Sequence, residues 1–329
     1  MSRQGVAKVN TYVCQIALSV ADLERTVKFY RSVFGFFDAG GTTSFRKKIP
    51  EYVQGIKGLA SNTHWLQDND KKFQLEFFQF RNVAKPPIPD DWKPYDIGMT
   101  RFAVEVKDLD QTLAKAKQHF ARSVSEPVLI EDKRYATIRD IDGVLIEVKE
   151  SPETVNGSCP TKVVGVAYSV QDLEKFLSNM EKGLLLKKNQ SLFVDKHPLL
   201  GIKNAQCKVE ILDGHKCWIE VSQYVSPTPK PSRDGMLLTD IGLSHIAVSC
   251  GSAEEFGEWY NEHVVKVLRP NNLKPMKTGK LNMLMYSKDQ WGFVYETIYM
   301  SKVIGKVFGF DEQRGWRKVA IKICDIVGL

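Results

Sequence analysis

The chain has 329 residues, 43% of them hydrophobic and 26% charged, the make-up of a soluble globular protein long enough for two domains. Its 46 lysines and arginines outnumber 39 acidic residues, leaving a formal charge of +7. The basic residues are scattered, which argues against a nucleic-acid groove and suits a mild preference for anionic small molecules. No apolar stretch reaches the roughly 18 residues of a membrane-spanning helix, and the N-terminal residues lack a signal-peptide core. The six cysteines, Cys14, Cys159, Cys207, Cys217, Cys250 and Cys324, form no CxxC pair. Reduced thiols in a cytoplasmic protein, monomeric or homodimeric, are the expectation.

Four segments share one pattern. They open at Gln15, Arg101, Gly165 and His245, each with a short run in which apolar residues recur at about every second position, the period of a half-buried strand. Each run reaches Asp22, Asp108, Asp172 or Ser252, whose side-chain oxygen can cap a helix. An apolar stripe at helical spacing follows, such as Leu23, Val27, Tyr30 and Phe34 in the first copy or Leu173, Phe176, Leu177 and Met180 in the third. Each copy closes with a hairpin whose turn is rich in Asp, Asn or Gly (Asp68-Asn69-Asp70, Asp142-Gly143, Asp213-Gly214-His215) or, in the fourth, reads Lys288 to Gly292. The last strand of each hairpin carries a glutamate inside an apolar run: Glu76, Glu147, Glu220 and Glu296. Proline-containing linkers separate the copies at Lys85–Asp90, Ser151–Pro160 and Ser226–Pro231. Repeats of this length signal duplicated domains rather than a solenoid.

The opening strand, its Asp-Leu cap and the helix ending in Phe29-Tyr30 and Gly35-Phe36 resemble a module of the vicinal oxygen chelate (glyoxalase/bleomycin resistance/extradiol dioxygenase) superfamily. The run Arg139-Asp140-Ile141-Asp142-Gly143-Val144-Leu145-Ile146-Glu147 is similar to that superfamily's hairpin ending, with Ile141 in place of the usual proline. The resemblance implies an α+β fold of four βαβββ modules. Pairs of modules would form two glyoxalase-like open barrels of mixed sheet with outer helices. Residues 1–154 (modules one and two) and 155–329 (modules three and four) are the expected domains. It also implies a divalent metal in a barrel, held by the first residue of each opening strand and the glutamate of each closing strand.

Carried over to this chain, the first barrel receives Gln15, Glu76, Arg101 and Glu147, and the second Gly165, Glu220, His245 and Glu296. His245, Glu220 and Glu296 are the expected metal set, suited to Fe, Mn, Zn or Ni, with Glu220 and Glu296 also available to move protons. Buried carboxylates are rare unless paired or metal-bound; a lone strand histidine, by contrast, is more often a core residue. In the first barrel Arg101 cannot coordinate a cation, so it is expected to pair with Glu76 or Glu147 in a metal-free structural site. A sharper alternative keeps Gln15, Glu76 and Glu147 as ligands, since glutamine occurs at the first position in glyoxalase I-like sequences, with Arg101 gripping an anionic substrate.

Other residues carry less. His215 reads as a solvated turn residue, His119 and His263 as helix surface, and Cys14 and Cys250 as core. His64 and Trp65 could line the first barrel, and Trp316, Val319, Ile321 and Ile323 suggest a tail that covers a barrel mouth. The function expected is a metal-dependent lyase or isomerase that stabilises an enediolate or other oxyanion of a small oxygen-rich substrate. A ring-cleaving extradiol-type dioxygenase competes, although Gly165 stands where one of its histidines belongs. A non-catalytic small-molecule-binding protein with degenerate barrels is the other alternative.

Overall fold

A computed structural model of the chain describes residues 9–46, 48–68, 73–153, 155, 159–189, 195–231 and 238–310. Module one contains β1 (Thr11–Ser19), α1 (Leu23–Phe34), β2 (Phe37–Phe45), α2 (Lys48–Gln54), β3 (Ala60–Gln67) and β4 (Gln74–Arg81). Module two follows with β5 (Gly98–Val106), α3 (Leu109–Gln118), β6 (Arg122–Ser123), β7 (Val128–Ile130), β8 (Lys133–Arg139) and β9 (Leu145–Glu150). Module three has β10 (Thr161–Ser169), α4 (Leu173–Gly183), β11 (Lys187–Lys188), a 3-10 turn at His197–Leu200, β12 (Gln206–Asp213) and β13 (Trp218–Ser226). Module four has β14 (Gly242–Cys250), α5 (Ala253–Trp259), a π-helical turn at Tyr260–Val264, α6 (Val265–Val267), β15 (Arg269–Pro270), β16 (Met276–Thr278), β17 (Asn282–Lys288) and β18 (Val294–Met300). A short α7 (Lys302–Val307) comes after the fourth module. The tail residues Trp316, Val319, Ile321 and Ile323, expected to cover a barrel mouth, lie outside the described residues.

The four caps form as their sequences require. Asp22, Asp108, Asp172 and Ser252 each accept a hydrogen bond from the backbone N–H three residues on, satisfying a donor that the first helical turn leaves unpaired. One stripe of each helix is then buried, with Leu23, Phe29, Tyr30, Val33 and Phe34 on α1.

The strands form two mixed sheets of nine, ordered β15-β17-β18-β14-β1-β4-β3-β2 and β11-β12-β13-β10-β5-β9-β8-β6, with β16 and β7 attached at the sides. This is the α+β architecture of paired modules, but the pairing differs from the expected one. Module one shares a sheet with module four, and module two with module three. The consecutive pairs 1–154 and 155–329 therefore do not each close a sheet. In the first sheet β1 runs antiparallel to β14 and parallel to β4, while β14 runs parallel to β18. The second sheet repeats this with β10 against β5, β10 beside β13 and β5 beside β9.

The linkers explain the exchange. The segment after module one and the segment after module three lie side by side, joined by hydrogen bonds from Ile241 N–H to the Pro86 carbonyl and from Ile97 N–H to the Lys230 carbonyl. Both carry the chain from one sheet to the other. The linker between modules two and three stays within the second sheet, where Lys107 N–H donates to the Pro160 carbonyl. Helices α1, α3, α4 and α5 pack between the sheets in one continuous apolar core: Tyr30 of α1 touches Phe77 of β4 in one sheet and Phe102 of β5 in the other.

The turn after β8 is tied into that core by Asp140. Its carboxylate accepts from the backbone N–H groups of Asp142 and Val144 and from the Tyr30 hydroxyl. Burial, aided by Asp142, pushes its pKa up to about 7. A carboxyl that holds its proton more tightly when folded contributes its full stabilisation below the unfolded pKa of about 3.9 and loses it as pH rises toward 7. Asp140→Asn, whose amide keeps the same shape, should remove that part of the pH dependence. Denaturant melts should show the variant losing less stability than the parent between pH 4 and pH 7, by up to about 4 kcal/mol. Equal slopes in the two proteins would overturn the assignment.

Candidate metal centre

Strand register decides which side chains meet. Ala17 of β1 pairs with Glu76 of β4 on one side and with His245 of β14 on the other, and Ala247 of β14 pairs with Glu296 of β18. Directly paired and alternate residues face the same side of a sheet. Gln15, Glu76, His245 and Glu296 therefore share one face of the first sheet, its inner face, opposite to Ile16, Phe77 and Ile246 of the core between the sheets, with the small side chains of Ala17 and Ala247 between them. All four are buried.

Ligating atoms of Glu76, His245 and Glu296 lie within 4.8 Å of one another. His245 Nε2 is 3.6 Å from Glu296 Oε2 and 4.0 Å from Glu76 Oε2. Three polar atoms here are buried without a hydrogen-bond partner: Gln15 Oε1, Glu76 Oε2 and His245 Nε2. Orphaned buried polar atoms are costly, and Glu76 Oε2 and His245 Nε2, 4.0 Å apart with Glu296 beside them, fit a cation that the side chains would ligate.

The neighbouring groups orient these donors. The Ser244 hydroxyl lies 3.3 Å from the Leu238 carbonyl and 2.9 Å from His245 Nδ1. With the hydroxyl donating to the carbonyl, Nδ1 carries the ring proton and Nε2 presents its lone pair to the carboxylates. The Trp65 indole N–H donates to Glu76 Oε1 at 2.8 Å, which leaves Oε2 pointing at the cluster. Burial raises the Glu76 pKa well above the usual carboxylate range, and the Glu296 charge adds to the shift, while bonds from Trp65 and Gln15 oppose it.

This cluster exchanges members between the two expected sets. His245 and Glu296 are joined by Glu76 and Gln15, and Glu220, expected as their ligand, lies in the other sheet. Trp65 faces the cluster, whereas His64 turns to the opposite side of β3 and contacts Thr42 and Asp38. Sequence reasoning did not single out Ser244, Tyr286 or Gln54. One signal was available, the alanine two residues after each opening position (Ala17, Ala103, Ala167, Ala247), which leaves room beneath the site.

Residues 13–148 match the family model of the Glyoxalase/Bleomycin resistance protein/Dioxygenase superfamily. That match spans modules one and two. Among solved structures it is similar to glyoxalase I from Zea mays, at 16% identity and a TM-score of 0.61 over 91% of this chain and 96% of that one. It is also similar to a putative dioxygenase from Bacillus subtilis subsp. subtilis str. 168, at 11% identity and a TM-score of 0.62 over 97% and 96% of the two chains. At these identities the likeness is one of fold. No curated protein matches the sequence. No described helix is long and apolar enough to cross a membrane.

The second sheet holds the equivalent four positions with different chemistry. Arg101 donates through Nε to Glu147 at 2.9 Å and through Nη2 to both oxygens of Glu220 at 2.9 Å. Of the two carboxylates expected beside Arg101, Glu147 is there and Glu76 is not. Lys196 adds a second cation, 2.6 Å from Glu147 Oε1 and 4.6 Å above the Trp218 ring. The two cations hold the Glu147 carboxyl below its ordinary range against the opposing effect of burial, with Lys196 contributing more than Arg101. Gly165 completes the set because a Cβ there would lie 2.1 Å from Trp218 Cδ2; the indole fills the fourth position. Two anions meet two cations, and nothing is left over for a metal.

Two predictions follow from these geometries. Arg101→Met, which leaves Glu220 with no other salt-bridge partner among the described residues, should destabilise the protein by about 3–5 kcal/mol in denaturant unfolding; a change under 1 kcal/mol would show that the buried network contributes little. Ser244→Ala should leave stability nearly intact while weakening divalent-metal affinity roughly 10-fold, because His245 loses the partner that fixes its tautomer. Unchanged affinity by calorimetry would refute that role.

Proposed function

We propose that the protein is a metal-dependent enzyme of lyase or isomerase type whose active site is the inner face of the first sheet. Gln15, Glu76, His245 and Glu296 would hold one divalent cation, with Fe, Mn, Zn and Ni the candidates for three oxygens and one imidazole nitrogen. The observation that carries the reading is the convergence of Glu76, His245 and Glu296, with Glu76 Oε2 and His245 Nε2 buried and unpartnered. The metal, when bound, supplies Lewis-acid polarisation of a substrate oxygen.

The side chains divide the remaining work. Glu76 is pinned through Oε1 by Trp65, which suits a fixed ligand. Glu296 lies within hydrogen-bonding influence of the Tyr286 hydroxyl and is the group assigned to proton transfer. It takes a proton from the carbon beside a carbonyl and returns it to the neighbouring atom, so the substrate is rearranged with no external oxidant. The apolar walls exclude water and so limit loss of that proton to solvent. A ring-cleaving dioxygenase has less support, since one histidine rather than two reaches the cluster.

Metal analysis of the purified chain, followed by calorimetric titration with Mn, Ni and Zn salts, tests the reading. One divalent ion per chain is expected. His245→Ala should weaken binding at least 100-fold. Glu220→Gln should leave it unchanged, because Glu220 belongs to the second sheet. Full metal occupancy in His245→Ala, or loss of metal in Glu220→Gln with the fold retained, would reject the site.

A further inference from the structure

The cavity beside Glu76 and Glu296 has a volume of about 100 Å³, of the order of the ~150 Å³ space that admits a benzene ring. Its walls are aromatic and aliphatic. Phe45 and Trp65 face Phe308 from the segment after β18, with ring centroids 6.4 and 5.8 Å away, and Leu284, Ile298 and Met300 close the other side. That segment is fastened over the cavity: Gln74 Nε2 donates to the Phe308 carbonyl at 2.7 Å. Next to it Gly309 adopts φ +75°, where a Cβ would lie 2.6 Å from the Ala39 carbonyl oxygen.

No lysine or arginine lines the cavity among the described residues; its charged groups are the carboxylates of Glu76 and Glu296. One divalent ion would balance those two charges and leave no positive excess. A carboxylate or phosphate on the bound molecule would then be desolvated without a partner. The net charge of +7 is therefore no guide to the ligand, because no described lysine or arginine contributes to the cavity wall.

Two neutral acceptors also face the cavity unsatisfied. Gln74 uses its amide N–H on Phe308, and its Oε1 is buried without a partner. Gln54 bonds Tyr286, and its Oε1 is likewise buried and unpartnered. Acceptors left open in an apolar wall call for donors on the ligand.

We propose that this cavity receives an uncharged molecule with an apolar arm about the size of a phenyl ring and at least one hydroxyl or N–H donor, carried beside the vicinal oxygens that would meet the metal. The last feature rests on the proposed function; the charge and the arm rest on the cavity walls alone. The matched probes 2-hydroxy-1-phenylethanone and its 4-carboxy derivative separate the two. Each is titrated calorimetrically into metal-loaded and chelator-treated protein. The neutral probe should bind on the order of 10-fold or more tighter in both forms, and Met300→Lys, which places a cation on the wall, should shrink or reverse the gap. Equal or tighter binding of the carboxylate by the parent protein would overturn the proposal, as would failure of the neutral probe to bind either form at millimolar concentration. If no divalent ion binds, the enzymatic reading falls, and the metal-free comparison still decides the character of the cavity.

Discussion

Two glutamates buried together in an apolar sheet are the condition to which each half of this molecule answers. Each sheet brings the glutamates of its two closing strands onto one inner face, and two carboxylates so placed repel each other and lose their hydration. In the second sheet the chain itself supplies the compensation. Arg101 bridges Glu147 and Glu220, and Lys196 reaches in to Glu147. In the first sheet the corresponding position is His245, a shorter side chain that is neutral when it offers a lone pair and that leaves Glu76 Oε2 without a partner. Compensation there has to come from a proton, which the raised pKa of Glu76 reflects, or from a cation that displaces it.

The exchange of modules between sheets determines which residues meet. Had consecutive modules paired, Arg101 would sit beside Glu76 and Gln15, and His245 beside Glu220 and Gly165. One site would then combine a guanidinium with a ligating glutamine, and the other would lack its fourth donor. The crossing linkers sort the residues differently. Four groups able to ligate go to the first sheet, and the guanidinium, its two carboxylates and the glycine that admits Trp218 go to the second.

Much of this was legible in the sequence and one part was not. The caps at Asp22, Asp108, Asp172 and Ser252, the alternation in the opening strands and the glutamates inside closing strands are local patterns, and local patterns survive without knowledge of the partner. Sheet partnership is not local. The four opening strands all present the same kind of apolar edge, so the sequence of Ile16, Phe102, Val166 and Ile246 allows any of them to lie against any other. The choice rests on the path of the linkers, including the contact of Pro86 with Ile241 across more than a hundred residues, and no periodicity reports such a contact. The donor types were therefore readable from Gln15, Glu76, His245 and Glu296 individually, whereas their assembly was not.

The same asymmetry bears on what the duplication does for the protein. The first sheet retains unpartnered polar atoms at its centre. The second sheet has closed its own site with an arginine, a lysine and an indole, and its helices share a single core with those of the first. Tyr30 makes the link concrete: its ring packs on Phe77 in the first sheet and its hydroxyl bonds Asp140 at the end of the second. A scaffold of equal modules can in this way leave one site incomplete for chemistry while the other, with every charge satisfied, holds the frame around it.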